Sequence, residues 1–399
     1  MPHTAVPAAE LSARLSRLRQ ALCAQAPDWS MVILDHKINL YYLTGTMQDG
    51  ALVITPDEAV FFVRRSYECA KADSLFPDLR PMGSFRTIAE AFPHIPETVY
   101  VETRTMTLQK LSMLQKYLPF ARTKSVDSVL SGLRATKSEY ELTCMRTAGQ
   151  MHAAVLERIV PSLVRRDVSE ARLCGEICTA LLEHGAMGIS RFNQPMAEDV
   201  LGVCSFGAHG LCSAALDSPS GTVGTCIAMK SIGSCERRLA VDELILLDIP
   251  SGFRGYHTDK SMTYFYGDLS RHPQGALIRA AHDQCVLVER CAAQRMVPGA
   301  VPSEIYAELT AMIDPAFREG FMNGAKFLGH SIGLTMDETP VLARGFDAPL
   351  AAGMTFAVEP KIALPGIGLI GTENTYEICV SGPAQSLTGT PDADWEIND

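Results

Sequence analysis

Five residues in the second half of the chain have side chains that could bind metal ions. They are Asp248, Asp259, His330, Glu359 and Glu373. One imidazole and four carboxylates provide too few nitrogen atoms for a typical zinc site, but an oxygen-rich set suits hard or borderline divalent cations. Two such ions sharing bridging carboxylates would use all five residues. The chemistry predicted by this set is metal-dependent hydrolysis.

The positions of Asp248 and Asp259 predict that they lie on two neighbouring strands. Residues 244–249 and 261–267 are rich in strand-forming side chains and flank a segment with two glycines, which predicts a hairpin with a longer loop. Side chains on neighbouring strands lie close enough to share a metal ion. Taken singly, either aspartate could be a solvated residue or a turn cap. Asp248, however, ends a run of four apolar residues, where an unpaired charge would be costly.

A second strand pair is predicted to carry the two glutamates. Residues 351–360 include Glu359, residues 368–378 include Glu373, and a short Pro-Gly turn separates the two segments. His330 follows a glycine and precedes a Ser-Ile-Gly turn, a tight backbone setting that could direct its ring toward the carboxylates. The sequence therefore predicts one site built from two strand pairs and one imidazole.

The motifs around these residues resemble those of the pita-bread metallopeptidases, which include methionine aminopeptidase, Xaa-Pro aminopeptidase, prolidase and the metal-free relative creatinase. The resemblance rests on the eleven-residue step from Asp248 to Asp259, the Gly-His-x-Ile-Gly-Leu motif at His330 and the Glu-Pro motif at Glu359. It implies that these residues and Glu373 bind two divalent ions, manganese, cobalt or iron rather than zinc. It also implies that Glu359 acts as the general base beside an activated water molecule.

The resemblance covers nearly the whole chain and implies its domain organisation. Residues 38–63 resemble the start of the N-terminal domain shared by Xaa-Pro peptidases and creatinase, and residues 133–149 resemble the helix that opens the catalytic domain. We therefore expect a creatinase-like α/β domain over residues 1–132. We expect an α+β pita-bread catalytic domain with a curved antiparallel sheet over residues 133–399. A homodimer is the family habit and carries over by analogy.

Local patterns independently predict two units. Ser138 followed by Glu141 forms a capping-box pattern, which predicts that a long helix begins there. Apolar residues at helical spacing predict an amphipathic N-terminal helix that contains Leu11, Leu15, Leu18 and Leu22. Short apolar runs that alternate with helical segments predict α/β structure, and these runs lie at 30–34, 50–54, 59–63 and 98–102.

Composition limits the partners and the compartment of the protein. The net charge of −10 and the absence of a basic stripe argue against nucleic acid and against an anionic membrane surface. No signal-peptide pattern and no membrane-spanning run of about 18 apolar residues occurs, so we expect a cytoplasmic protein. The twelve cysteines show no metal-binding spacing, and we expect them to be reduced.

Several positions depart from the residues with which the family's peptidases contact substrate. Segment 224–238 lacks the histidine that is usual before the first metal-binding strand, and the histidine usually found seven residues after the ligand histidine is absent. The arginine found in aminopeptidases two residues before the last glutamate is also absent, and the usual Asp-x-Gly motif at the first ligand is changed. The residues at these four places are Met229 or Lys230, Asp337, Gly371 and Pro250. The metal-binding set is therefore retained while the substrate-contacting set is altered.

Two residues could replace the missing imidazoles in proton transfer. His257 lies two residues before Asp259, and Asp337 occupies the place of the second histidine, so we predict both as catalytic residues together with Glu359. His257 could equally be a turn residue. Lys230 could bind a carboxylate of the substrate, although a solvated lysine is the commoner state.

Three classes of function remain open at this point. The first is a dinuclear metal-dependent hydrolase resembling Xaa-Pro peptidases, which cleaves a short peptide or dipeptide bond through a metal-bridging hydroxide. The second is a family member that acts on a small non-peptide substrate, as an amidine or amide hydrolase or as a lyase, and the missing histidines favour it. The third is a non-catalytic binding module, which five retained ligands disfavour because buried carboxylates are costly.

Overall fold

The computed structural model describes residues 4–193 and 201–398. The chain divides into two compact units, Met1–Arg134 and Ala135–Asp399. Within the described ranges, no helix is both long enough and apolar enough to cross a membrane. The twelve cysteines are all free, as the sequence predicts.

The first unit is built on a six-stranded mixed sheet. Its strands are β1 (Val32–Leu34), β2 (Gly50–Ile54), β3 (Ala59–Val63), β4 (Leu79–Pro81), β5 (Thr98–Val101) and β6 (Arg122–Ser125). Its helices are α1 (Ala8–Gln25), α2 (Lys37–Thr44), α3 (Tyr67–Asp73), α4 (Arg86–Ala91), α5 (Leu108–Tyr117) and α6 (Asp127–Ala135). The strand order is β4-β3-β2-β1-β5-β6, and β1 pairs antiparallel with β2 but parallel with β5. The predicted α/β class is confirmed, and Leu11, Leu18 and Leu22 of α1 are buried as expected.

The second unit begins with a long helix. Its helices are α7 (Glu139–Ala153), α8 (Val160–Leu163), α9 (Glu170–Glu183), α10 (Gly275–Arg295) and α11 (Pro302–Ala311). A π-helical segment at Ala154–Ile159 connects α7 to α8. The predicted capping box is present, because the Ser138 side chain accepts from the Glu141 N–H and the Glu141 side chain accepts from the Ser138 N–H.

The strands of the second unit form antiparallel sheets that contain or adjoin the predicted ligands. They are β7 (Val203–Phe206), β8 (Glu243–Phe253), β9 (Tyr256–Tyr266), β10 (Phe327–Ser331), β11 (Glu338–Ala343), β12 (Thr355–Val358), β13 (Lys361–Leu364), β14 (Gly368–Gly371), β15 (Asn374–Glu377), β16 (Gln385–Ser386) and β17 (Glu396–Ile397). One sheet has the order β17-β9-β8-β7, a second has the order β11-β10-β12-β15-β16, and β13 pairs with β14. Except for the parallel pairing of β17 with β9, these strand pairs are antiparallel, as predicted for the catalytic domain.

The first predicted strand pair is confirmed as the hairpin β8–β9, but its loop is shorter than expected. The strands continue to Phe253 and Tyr256, which leaves only Arg254 and Gly255 in the turn. Both turn residues have positive φ, +51° and +89°. Two-residue turns of this kind match the right-handed twist of the strands that they connect.

The second predicted strand pair is also confirmed, with a break in its middle. β12 pairs with β15, β13 pairs with β14, and Glu359 and Glu373 lie where the two pairings meet. Pro360 has no N–H to donate to a ladder, which interrupts the pairing beside it. Glu373 bonds instead to Ser261 of β9, through Glu373 N–H to Ser261 O at 3.1 Å and Ser261 N–H to Glu373 O at 3.3 Å. The break therefore joins the second strand pair to the first.

A single apolar core supports these strands from behind. It includes side chains of β8, β9, α10 and β12 that are at most 1% exposed, namely Ile245, Phe265, Ile278, Val288 and Phe356. Burial on this scale makes the second unit a rigid frame, because side chains in close-packed cores have little room to shift.

Gly329 allows β10 to approach β12 closely, and replacing it tests this part of the fold. A Cβ atom at Gly329 would lie 2.2 Å from the Ala357 carbonyl oxygen and 3.1 Å from the Val358 Cα atom. Because both contacts are with backbone, Gly329→Ala should force the strands apart and lower the free energy of unfolding by about 1–3 kcal/mol. Thermal denaturation followed by circular dichroism should show a lower melting temperature.

Gly175→Ala is the matched control for this substitution. Gly175 lies inside α9, and no atom lies within 4 Å of the Cβ position there. Alanine is the better helix former by about 1 kcal/mol, so this variant should melt at or above the wild-type temperature. An unchanged melting temperature for Gly329→Ala would contradict the close approach of β10 to β12.

Candidate metal centre

The structure brings the five predicted ligands together in two overlapping groups. Asp259, His330 and Glu373 form one group, and Asp248, Glu359 and Glu373 form the other. Within each group, one potential ligand atom from every residue lies within 4.8 Å of the others. Glu373 belongs to both groups, as expected for a carboxylate placed between two cation positions.

The register of the β8–β9 hairpin puts its two aspartates on one face. Asp248 is opposite Ser261, and Asp259 is opposite Pro250. Opposite residues of an antiparallel pair share a face, and residues two apart on a strand share it too. Ser261 lies on the same face and donates from Oγ to Glu373 Oε2 at 2.5 Å. The hairpin therefore presents both aspartates and also holds the shared glutamate.

One residue of the site was missed from the sequence. Lys361, the first residue of β13, is 0% exposed, and its Nζ lies 2.9 Å from Glu359 Oε2 and 3.0 Å from Glu373 Oε2. The same Nζ lies 3.5 Å from Asp248 Oδ2. Its signal in the sequence is a single charge at the start of an otherwise apolar strand, two residues after Glu359. Lys361 therefore contacts all three members of the second ligand group.

The three carboxylates keep Lys361 charged. Burial by itself lowers the pKa of Lys361, but Glu359, Glu373 and Asp248 outweigh that effect and hold its pKa well above the usual value. A lysine this deeply buried is normally found only with charged partners. The second group thus contains its own positive charge.

The first group is compensated less fully, since within the described ranges the ammonium of Lys361 pairs with Glu373 but with neither Asp259 nor His330. Burial raises the pKa of Asp259 well above its usual value, and the charges of Glu373, Asp248 and Glu359 raise it further, which outweighs the opposing charge of Lys361. Glu373 Oε1 is buried and has no hydrogen-bond partner within the described ranges. A buried carboxylate oxygen without a partner is unfavourable, and a bound cation would satisfy it.

The orientation of His330 also suits a metal ion in the first group. Its Nδ1 lies 3.2 Å from the Ser331 carbonyl oxygen, which assigns the proton to Nδ1. Nε2 then carries the lone pair, and a backbone carbonyl on the opposite ring nitrogen is the usual support of a metal-binding histidine. Asp259, His330 and Glu373 therefore fit a divalent cation by donor type, by the unpartnered oxygen and by ring orientation.

The two residues predicted as proton carriers lie outside both ligand groups. His257 is fully buried, its Nδ1 lies 3.1 Å from the Gly333 carbonyl oxygen, and its Nε2 accepts from the Arg191 N–H at 3.1 Å. Asp337 accepts a hydrogen bond from the Asn193 N–H. Both side chains bond to backbone N–H groups at Arg191 and Asn193, an arrangement that favours positioning over direct proton transfer. Their catalytic role stays a prediction.

The remaining altered positions have different surroundings. Lys230 is exposed. Gly371 faces Lys361 across the β13–β14 pair. Pro250 lies in β8 opposite Asp259. Only Gly371 therefore adjoins the buried lysine.

Two family models together match most of the chain. The model of metallopeptidase family M24 matches residues 143–379, and the model of the creatinase/prolidase N-terminal domain matches residues 14–136. The Xaa-Pro dipeptidase of Pyrococcus furiosus is 22% identical over 365 residues, which cover 90% of this chain and 93% of that protein.

Solved structures resemble this chain over nearly its full length. The Xaa-Pro dipeptidase from Bacillus anthracis matches with a TM-score of 0.80 at 20% identity, covering 97% of this chain and 99% of that one. Dipeptidase PepE from Mycobacterium ulcerans matches with a TM-score of 0.79 at 22% identity, covering 99% and 100%. These similarities show the fold and leave the substrate to be inferred from the site.

Replacing His330 tests the assignment of the first ligand group. His330→Ala removes the only imidazole of the group and should weaken divalent metal binding by about tenfold or more, since loss of even a supporting residue costs about 10–100-fold. Metal content measured by plasma mass spectrometry after equilibrium dialysis against manganese provides the measurement. Asp337→Asn is the control, and it should retain the wild-type metal content because Asp337 belongs to neither group. Equal loss of metal from both variants would contradict the grouping.

Proposed function

Because the chain belongs to metallopeptidase family M24, we propose that it hydrolyses an amide bond in a short peptide or another small amide. The observation that carries this proposal is the close grouping of ligand atoms from Asp259, His330 and Glu373, and it is supported by a buried oxygen of Glu373 that has no partner among the described residues. Bound there, a divalent cation would supply Lewis acidity for activating water and for polarising the scissile carbonyl. The oxygen-rich donor set favours manganese, cobalt or iron.

Glu359 is the proposed general base, and its surroundings support that role. Its Oε1 lies 3.6 Å from His330 Nε2, and its Oε2 accepts a hydrogen bond from Lys361 at 2.9 Å. Burial raises the pKa of Glu359 above its usual value despite the opposing charge of Lys361. A carboxylate with a raised pKa can take a proton from water and return it to a leaving amine near neutral pH.

A small substrate other than a standard Xaa-Pro dipeptide is the second candidate, and one observation favours it. His257 and Asp337, the two residues predicted to replace the missing imidazoles, bond to the backbone of Arg191 and Asn193. Committed in this way, they are poorly suited to protonate a leaving amine. Another proton donor must then protonate the leaving amine. A different donor suits a substrate whose shape differs from that of Xaa-Pro dipeptides.

A substrate panel separates these candidates. We expect weak or absent turnover of Xaa-Pro dipeptides and Pro-containing tripeptides, and metal-dependent hydrolysis of another small amide or cyclic amidine. The assay would use protein treated with chelator and then reloaded with manganese, cobalt or iron. Turnover of Xaa-Pro dipeptides near the ~10 s⁻¹ typical of enzymes would show that the altered residues do not change specificity.

Glu359→Gln tests the proposed general base. The amide keeps the size of the side chain but cannot take a proton, so kcat should fall by about 10²- to 10⁴-fold on any substrate found. Asp259, His330 and Glu373 are unchanged in this variant, so metal bound by that group should remain. A variant with wild-type kcat would require another base.

A further inference from the structure

The second ligand group has a cation supplied by the chain itself. Lys361 Nζ lies within 3.5 Å of oxygens from Asp248, Glu359 and Glu373, which are the three members of that group. An ammonium has three hydrogen-bond donors, so these three carboxylates can engage all of them. The group therefore has a positive charge at its centre without a metal ion.

The backbone around Lys361 is shaped to hold its side chain in this place. Lys361 pairs with Gly371 across the β13–β14 ribbon. A Cβ atom at Gly371 would lie 2.5 Å from Lys361 Cγ and 3.1 Å from Lys361 Cβ. Any larger residue at 371 would collide with the stem of the lysine and with the Pro360 carbonyl oxygen, 2.8 Å from the Cβ position. The glycine that departs from the aminopeptidase pattern thus provides the space through which Lys361 reaches the carboxylates.

The two carboxylate oxygens of Glu373, the residue shared by the two ligand groups, have different surroundings. Oε2 accepts hydrogen bonds from Lys361 Nζ at 3.0 Å and from Ser261 Oγ at 2.5 Å. Oε1 is buried and has no hydrogen-bond partner in the described part of the chain. One oxygen is therefore already satisfied on the lysine side, whereas the other still needs a positive partner.

We propose that the ammonium of Lys361 replaces one of the two metal ions that the five ligands would otherwise hold, so that this chain binds a single divalent ion. Asp259, His330 and Glu373 bind the single ion. The binding of this ion rests on the proposed function, whereas the role of Lys361 does not. Lys361 neutralises charge in the second group but offers no open coordination position. Substrate atoms that a second ion would bind must therefore be recognised by hydrogen bonds.

Displacement of Lys361 by an arriving ion is opposed by its surroundings. Its side chain is 0% exposed, and its backbone lies in a strand paired along its length from Lys361 to Leu364. A second ion would also have to share Glu359 Oε2 and Glu373 Oε2 with an ammonium that already donates to both. Two cations competing for the same oxygens repel each other at short range.

Metal stoichiometry tests this proposal without any substrate. Wild-type protein and Lys361→Gly would be titrated with manganese chloride by isothermal calorimetry, and metal content would be checked by mass spectrometry. Removing the side chain opens its space and exposes three carboxylates to the ion. We expect one ion per chain for the wild type and two for Lys361→Gly.

Lys137→Gly is the matched control. Lys137 is also buried, with its side chain 1% exposed, but its Nζ contacts Glu338 at 3.5 Å and Ser331 Oγ at 3.3 Å, and it belongs to neither ligand group. It should bind as many ions as the wild type, and circular dichroism of both variants reports on folding. Equal stoichiometry in the wild type and Lys361→Gly would overturn the proposal. A wild type that binds no ion would refute the proposed metal-dependent function, while the gain of an ion in Lys361→Gly would still support the role of the lysine.

Crystals of the wild type soaked in manganese provide a second measurement that does not depend on a variant folding. The anomalous signal should show one peak in contact with Asp259, His330 and Glu373. A second peak in contact with Asp248 and Glu359 would overturn the proposal.

Discussion

The crowding of four carboxylates into one buried place is the constraint on which the second unit depends. Burial raises the pKa of Asp259, Glu359 and Glu373, and the charges of neighbouring carboxylates, Asp248 among them, raise it further. Such a cluster stays charged in a folded protein only when positive charge is provided nearby. Lys361 provides it for one side of the cluster, and the donor set of the other side suits a divalent ion. The chemistry of the site follows from this uneven distribution of charge.

The sheets are rigid enough to hold the four carboxylate side chains close together although their charges repel one another. Hairpin β8–β9 is paired over its whole length, and its turn contains only two residues. The interruption at Pro360 releases Glu373 from the neighbouring ladder, and the bridge to Ser261 then fastens it to β9. Repulsion between side chains is thus resisted by backbone hydrogen bonds and by the packed core, rather than relieved by movement.

Patterns that repeat over a few residues allowed much of this fold to be predicted. The capping box at Ser138, both strand pairs and the mixed α/β unit are all local in origin, and the structure contains them. Lys361 could not be placed in this way, because its position depends on which residue β13 faces across the ribbon. His257 and Asp337 bond to Arg191 and Asn193, which are far away in the sequence. The alternation of apolar residues does not predict contacts of this kind.

The steric pairing of Gly371 with Lys361 has a consequence for how such a site can arise by mutation. A Cβ atom at position 371 would lie 2.5 Å from Lys361 Cγ and 2.8 Å from the Pro360 carbonyl oxygen, so it would collide with the stem of the lysine and with backbone. Glycine at 371 therefore allows the lysine stem to lie in this place, and a larger residue at 371 would displace it. The effect of a substitution at either position therefore depends on the residue at the other, so we expect the two positions to be epistatic.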